Sequence, residues 1–526
     1  MKRTLHRRYY RLRIKYKINL LVHMIILALW TGMPQPVHAA DKWKRYISPT
    51  LEVTSNLSSK NVKKLTQELE YMHDHISHYL ALPKAQSVIP LRLYLTRSLY
   101  SVKKSAGLRS INGIYVSSLD GNRAAAMGTL AREDWQMGYS IISKHEYLHY
   151  LMDQKLHHAL PNWYTEGLAD FLSTGHYTKD QMILGKSLSA RETFLKDENR
   201  LWISLKELFE EPTLSREKGG QHIVDDRRYA LSWLLVHMLH MKEKYRSKLP
   251  AFVSTITKGG DSEKAFLEIY NMRLPQIRSA LKAYLHKPGG LKKRIIKNTV
   301  RPVHVKRQTI NRDEQQVMNW RMLIDFAHKE KIFAYVAERM AEHSTRQTDR
   351  NPSFQEIKAR AYAGAKDYEK ALDILSSIKR PHTKDQRLRL QKLQNEYALL
   401  DTIHQNYFKN MPLDRRDLRA IRRNLSDLIT KDPSDPKLLY LKGLSYLLYN
   451  RAENNEIAYK LLHRAHQLTP NNTQIQYLLA RAADKTGNHQ KACAIFHHIK
   501  AAKPDEIYLT LANKRLSVAQ PCRQKG

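Results

Sequence analysis

The five residues His145-Glu146-Tyr147-Leu148-His149 constrain this chain more than any other feature. On an α-helix, positions four apart lie one turn above one another on the same face, so His145 and His149 can present two imidazoles to one metal ion. Glu146 then stands beside them, free to hold a water molecule. Two histidines do not complete a site: a zinc ion that does chemistry takes three protein ligands and leaves a fourth position open. Any fold that uses this helix must bring a third ligand to it from another element. The chain holds 25 His in 526 residues, so the motif has to be supported by its surroundings.

Two spacings can be tested. In one, a Gly follows three residues after the second His and a third His three residues beyond; those positions are Met152 and Lys155, and the arrangement fails. The other takes a Glu from the next helix. The stretch "LPNWYTEGLADFLSTG" offers Glu166, with Pro161-Asn162 to start a helix and Gly175 to end it. Asp170 lies one turn further along the same face, where a carboxylate can accept the second ring N–H of a ligand histidine and orient it.

The pattern H-E-x-x-H, then P-x-W-x-x-E-G-x-A-D, resembles the gluzincin peptidase-MA-like family of bacterial zinc metallopeptidases. The matching residues are His145, Glu146, His149, Pro161, Trp163, Glu166, Gly167, Ala169 and Asp170, with looser echoes in "LKELF" (205–209) and "RRYALSWLLVHML" (227–239). The resemblance implies one zinc ion per chain, with His145, His149 and Glu166 as ligands and Asp170 behind them. It also implies peptide-bond hydrolysis by a zinc-activated water with Glu146 as general base, and no further cofactor. The donor that stabilises the oxyanion is left open, with Tyr229 and His237 as candidates; His157, His158, His176, His237 and His240 are otherwise expected to be structural or solvent-exposed. Two other functions fit the same residues: a repeat-based scaffold with a vestigial peptidase domain, and a zinc hydrolase of a non-peptide envelope amide. The intact Glu146 speaks against the first.

The N-terminus carries Lys2, Arg3, Arg7, Arg8, Arg11, Arg13, Lys15 and Lys17 with no acid, then the apolar run Ile18–Trp30, then Val37-His38-Ala39. This reads as a secretory signal peptide over residues 1–39, and it predicts an exported, periplasmic or envelope protein. An uncleaved anchor is the alternative, although the run is shorter than the ~20 apolar residues that span a bilayer. The net charge of +39 is spread over both halves, which argues against a nucleic-acid arm and for anionic envelope surfaces as electrostatic partners. Cys493 and Cys522 are the only cysteines; they can pair or stay free.

Residues 40–288 read as an α+β domain, which the gluzincin resemblance implies is zincin-like: strands at 51–54 and 88–95, a helix over 59–82, and a hairpin turning at Asp120-Gly121-Asn122 before the motif helix. If residues 123–130 form the edge strand beside that helix, an extended peptide substrate can add to it. Residues 289–308, basic and without acids, read as a linker. Beyond 309 the chain reads as an all-α helical repeat domain, clearest over 436–504. Pro470 and Pro504 close two similar helices at a spacing of 34 residues, the tetratricopeptide period. The two units resemble that family at Gly443, Tyr446, Ala458, Leu462 and Ala465, and at Leu479, Ala480, Ala492 and Phe496; "AYAGAKDYEKALDIL" (361–375) looks like a third. Such repeats imply a protein substrate or partner held on their surface.

Overall fold

Alternation along one strand sets the layering. In β3 (Leu91–Thr96) the side chains of Leu91, Leu93 and Leu95 are buried in the main core, while Tyr94 between them is buried in a second one. A strand apolar on both faces belongs inside a sheet covered on both sides. The computed structural model describes residues 42–526 except 83–88, 101, 104–111, 128–138, 156–159, 197–201, 211–215, 218–221, 224–225, 258–259, 287–290, 380, 382, 410, 450, 503–505 and 519–526. The expected signal peptide, His157, His158 and Cys522 therefore lie outside the described residues. No helix among the described residues is long and apolar enough to cross a membrane. Cys493 is not a free thiol.

Six strands form the main sheet in the order β11-β1-β2-β3-β5-β4, with β1 Lys44–Ile47, β2 Leu51–Ser55, β4 Gly113–Val116, β5 Arg123–Met127 and β11 Lys306–Thr309. The β2–β3 and β3–β5 pairs are parallel and the others antiparallel. The turn at Asp120-Gly121-Asn122 is present, with Gly121 at φ +95°. It folds β4 to the outside, so β4 is the edge strand and β5, the expected edge, is internal.

One face of the sheet is covered by α1 (Ser59–Tyr79) and α2 (Tyr139–Lys155). Helix α1 buries Leu65, Leu69, Met72 and Ile76, spaced three and four apart, against the sheet. Behind α2 lie α3 (Asn162–Ser173), α4 (Ser189–Leu195), α5 (Asp226–Met241) and α6 (Leu274–Leu285). A small sheet, β10-β7-β6, joins β6 (His176–Tyr177), β7 (Gln181–Leu184) and β10 (Arg294–Lys297), and β8 (Arg216–Glu217) pairs with β9 (His222–Ile223).

The 289–308 stretch is not a free tether. Its residues form β10, paired with β7, and β11, paired with β1, and Val303 and Val305 between them pack on the main core. Its β-branched residues Ile295, Ile296, Val300, Val303 and Val305 fit a pleated surface, a signal masked in the sequence by the surrounding lysines and arginines.

The helical region starts as part of the second core. Helix α7 (Arg312–Asp325) lays Met318 and Met322 on the far face of the sheet, against Trp43, Tyr94 and Ala125. Then follow α8 (Glu330–Glu342), α9 (Pro352–Gly364), α10 (Tyr368–Ser377), α11 (Lys384–Lys409), α12 (Arg415–Lys431), α13 (Pro436–Leu447), α14 (Ala452–Leu468), α15 (Thr473–Lys485), α16 (His489–Ala502) and α17 (Glu506–Val518). Small residues let paired helices approach: a Cβ on Gly443 would stand 2.8 Å from Leu462 Cγ, and Ala458, Leu462 and Ala465 are fully buried. The array also returns to the sheet. Leu119 of the β4–β5 turn packs on Leu439, Ala465 and Ile475, and Asn471 Nδ2 donates to the Asp153 carbonyl at 2.7 Å. Residues Trp43–Gly526 thus make one compact unit.

Candidate metal centre

Helix α2 is buried around most of its circumference, with Tyr147, Leu148, Tyr150 and Leu151 all in the core. A helix enclosed in this way needs no one-sided apolar stripe. It lies across β5, whose Ala124 and Ala126 face the same core. Small side chains there leave room for the helix. At its start, Lys144 Nζ is tied to Glu68 Oε1 at 2.7 Å and donates to the Gly175 carbonyl at 2.8 Å, which fixes α2 against α1 and the end of α3.

Helix α3 is placed by Gly167. A Cβ there would come 2.5 Å from the Ser232 carbonyl oxygen and 2.7 Å from Val236 Cγ2, so α3 rests directly on the backbone of α5. Trp163 anchors its first turn, its indole donating to Ser262 Oγ at 3.1 Å. These contacts turn Glu166 and Asp170 toward α2.

The three expected ligands converge. His145 Nε2 and His149 Nε2 are 3.1 Å apart, and Glu166 Oε2 lies 3.3 Å from the first and 3.5 Å from the second. Ligand atoms held 2.0–2.2 Å from a tetrahedral zinc ion stand about 3.3–3.6 Å from one another, so the triangle is close in size to one face of such a site, with the His145–His149 edge slightly short. Glu166 Oε2 is also buried, with no hydrogen-bond donor satisfying it among the described residues. The residues fit a zinc ion on both counts.

Asp170 is fully buried, with Oδ1 2.9 Å from His145 Nδ1. Its other oxygen accepts from Arg191 Nε at 2.7 Å, and Arg191 Nη1 reaches Asp226 Oδ1 at 2.9 Å. The Arg191 guanidinium also lies 4.7 Å from the centre of the Tyr229 ring. Sequence reasoning missed Arg191 and Asp226. A lone Arg on α4 has no motif, and only the folded chain shows that Asp170 needs a cation behind it.

The charges are arranged to hold a cation. Burial pushes the Glu146 carboxyl above its ordinary range, against the pull of His145 and His149. Burial also opposes ionisation of Glu166 and Asp170, but the imidazoles around Glu166, and Arg191 beside Asp170, outweigh it and hold both below the usual carboxylate range. For His145, burial works against the charged ring, yet contact with Asp170 and Glu166 raises it well above an ordinary imidazole. A positive charge is favoured where the three ligand atoms meet.

Of the two candidate oxyanion donors, Tyr229 is at the site. Burial, then the charges of Glu166 and Asp170, raise its phenol above the ordinary range. His237 is engaged elsewhere: its Nδ1 is 2.7 Å from Tyr284 Oη, within the aromatic packing of Phe171 and Trp233. His240 is likewise buried, between Tyr79 and Tyr164, and His176 is exposed beside Glu68.

Comparison with known proteins reaches the helical region. A tetratricopeptide repeat family model matches residues 449–514. The chain is similar to a solved structure titled "MamA RS-1 ArsTM double mutant", at 16% identity and a TM-score of 0.25, covering 37% of this chain and 96% of that one. No curated protein matches.

Proposed function

We propose that the protein is an exported zinc-dependent metallopeptidase of the gluzincin type, whose helical repeats recruit a protein substrate or partner. The observation that carries this reading is the convergence of His145, His149 and Glu166, with 3.1–3.5 Å between ligand atoms, next to a general-base candidate one residue away.

A zinc ion held there would polarise the scissile carbonyl and bring the ionisation of water toward pH 7. Glu146 is 8% exposed, and its raised pKa suits a group that accepts the proton of the attacking water and returns it to the leaving amine. Asp170 keeps His145 in one ring orientation, and Arg191 keeps Asp170 ionised. The Tyr229 hydroxyl, neutral at working pH, is the donor offered to the oxyanion. Among the described residues the outer edge of β4 is unpaired, and an extended peptide can add to it where Gly113 lies against Glu146.

The test is zinc analysis of the exported chain with peptide-library cleavage by wild type and Glu146→Gln. One zinc per chain in both, with cleavage by the wild type alone, supports the peptidase. Zinc without cleavage of any peptide favours the scaffold, or hydrolysis of a non-peptide amide.

A further inference from the structure

We infer that the tip of the α11–α12 helical hairpin is a docking surface for an anionic phospholipid bilayer. Tyr407, Phe408 and Met411 are 79%, 68% and 51% exposed there, three large apolar side chains within five residues. The turn that carries them is fixed at Met411: its N donates to the Gln405 carbonyl at 3.2 Å, and Asn406 Nδ2 donates to the Met411 carbonyl at 2.8 Å. Phe408 rests on His404 with ring centres 4.9 Å apart.

Helix α12 begins at this tip. It buries Leu418, Ile421, Leu425 and Leu428, so its opposite face presents Arg415, Arg416, Arg419 and Arg423, all exposed. The only acids from 404 to 424 are Asp414 and Asp417. Asp414 is engaged at the helix start, accepting from Arg416 N at 2.6 Å.

Apolar and tyrosine side chains ringed by arginines match the water–lipid boundary. The rings enter the acyl edge, and guanidinium groups stay with the phosphates. An acidic protein or a nucleic acid would satisfy the arginines but leave Phe408 and Met411 without apolar cover. The inference does not depend on the zinc site.

The test uses residues 41–526, which contain the whole compact unit, sedimented with phosphatidylcholine vesicles with and without about one-third phosphatidylglycerol. Binding to the anionic vesicles is expected, and weak binding to the neutral ones. Replacing Arg415, Arg416 and Arg419 together by Gln should weaken it on the order of 100-fold. Replacing Tyr407, Phe408 and Met411 together by Ser should weaken it about 10-fold or more, with thermal unfolding unchanged. Lys292, Lys293 and Lys297 changed together to Gln should bind as wild type does. The proposal is overturned if the Ser variant binds as well as wild type, or if the distant lysine variant is the one that fails. It is also overturned if vesicles are ignored while the Ser variant turns a dimer into a monomer, or if an oligonucleotide is bound in preference to lipid.

Discussion

Lys437, at the start of α13, is ion-paired with Asp120 at the turn of the β4–β5 hairpin and reaches Glu396 Oε2 at 2.6 Å. Two residues more than three hundred positions apart thus join the helical array to the hairpin whose edge strand borders the metal centre. The array is part of the structure that positions the site. Asp120 is 46% exposed, so the pair itself is worth about 1 kcal/mol or less; the packing around it carries the join.

Truncation is the first consequence. Cutting the chain after residue 290 removes β11, leaves β1 at the edge, and uncovers Trp43, Tyr94 and Ala125. The 41–290 fragment is expected to be insoluble or to unfold without a cooperative transition, whereas 41–365, which keeps α7 to α9, should fold. Circular dichroism melts of the two decide it; a cooperative melt for 41–290 would restore the linker boundary.

Gly167→Val tests how Glu166 is placed. The added side chain must displace the α5 backbone at Ser232, an overpacking cost of typically 1–3 kcal/mol. Both thermal stability and zinc affinity should fall, whereas Glu166→Ala should lose zinc with a smaller loss of stability. A Gly167→Val protein that binds zinc as tightly as wild type would show that α3 can shift without moving Glu166.

Gly113→Ala separates the base from the metal. A Cβ at this position collides with Glu146 Oε1 and lies 2.6 Å from Ile142 Cγ2. The Glu146 carboxylate can swing aside, but the methyl of buried Ile142 must shift too, so some stability is lost as well; Glu146 is not one of the three converging ligands. Zinc content should therefore stay at the wild-type level while kcat for peptide cleavage drops about 10-fold or more. Unchanged kcat would mean that Glu146 need not stand where it does.

Asp170→Asn should weaken zinc binding or activity by about 10–100-fold. Arg191→Met should change them in the same direction, because Asp170 then loses the cation that keeps it ionised. Chelator competition measures both; an Arg191→Met protein with wild-type zinc affinity would show that Arg191 does not support the metal ligands.

Acid stability follows from buried histidines. Burial, the leading cause at each, lowers His73 and His237 from 6.5 to about 4 and His240 from 6.5 to about 3. Between these values the unfolded chain binds protons that the folded chain refuses, so stability is full above pH 6.5 and falls as pH drops toward 4. Melting temperatures taken with chelator present, so that pH-dependent metal binding does not contribute, should decline across that window. His237→Phe should shallow the decline, and an unchanged slope would assign it to other groups.

How much of this was legible in the sequence depends on whether the signal is local. The His145, His149 and Glu166 cluster is, because helical spacing fixes His145 and His149 on one face and puts Glu166 and Asp170 a turn apart on the next helix. The 34-residue repeat is local for the same reason. What the sequence hides is reciprocal burial between distant segments. The alternation over 88–95 shows a strand, but not that Met318 and Met322 cover its second face at Tyr94. The basic 289–308 stretch reads as a linker until β7 and β1 pair with it. Arg191 acquires its place only once Asp170 is buried.

Zinc analysis of wild type, Glu166→Ala and Glu146→Gln, paired with cleavage of a peptide library, tests whether His145, His149 and Glu166 hold a catalytic zinc ion. One zinc per chain and cleavage are expected in the wild type, no zinc in Glu166→Ala, and full zinc without cleavage in Glu146→Gln. Full zinc in Glu166→Ala, or undiminished cleavage by Glu146→Gln, would contradict that assignment.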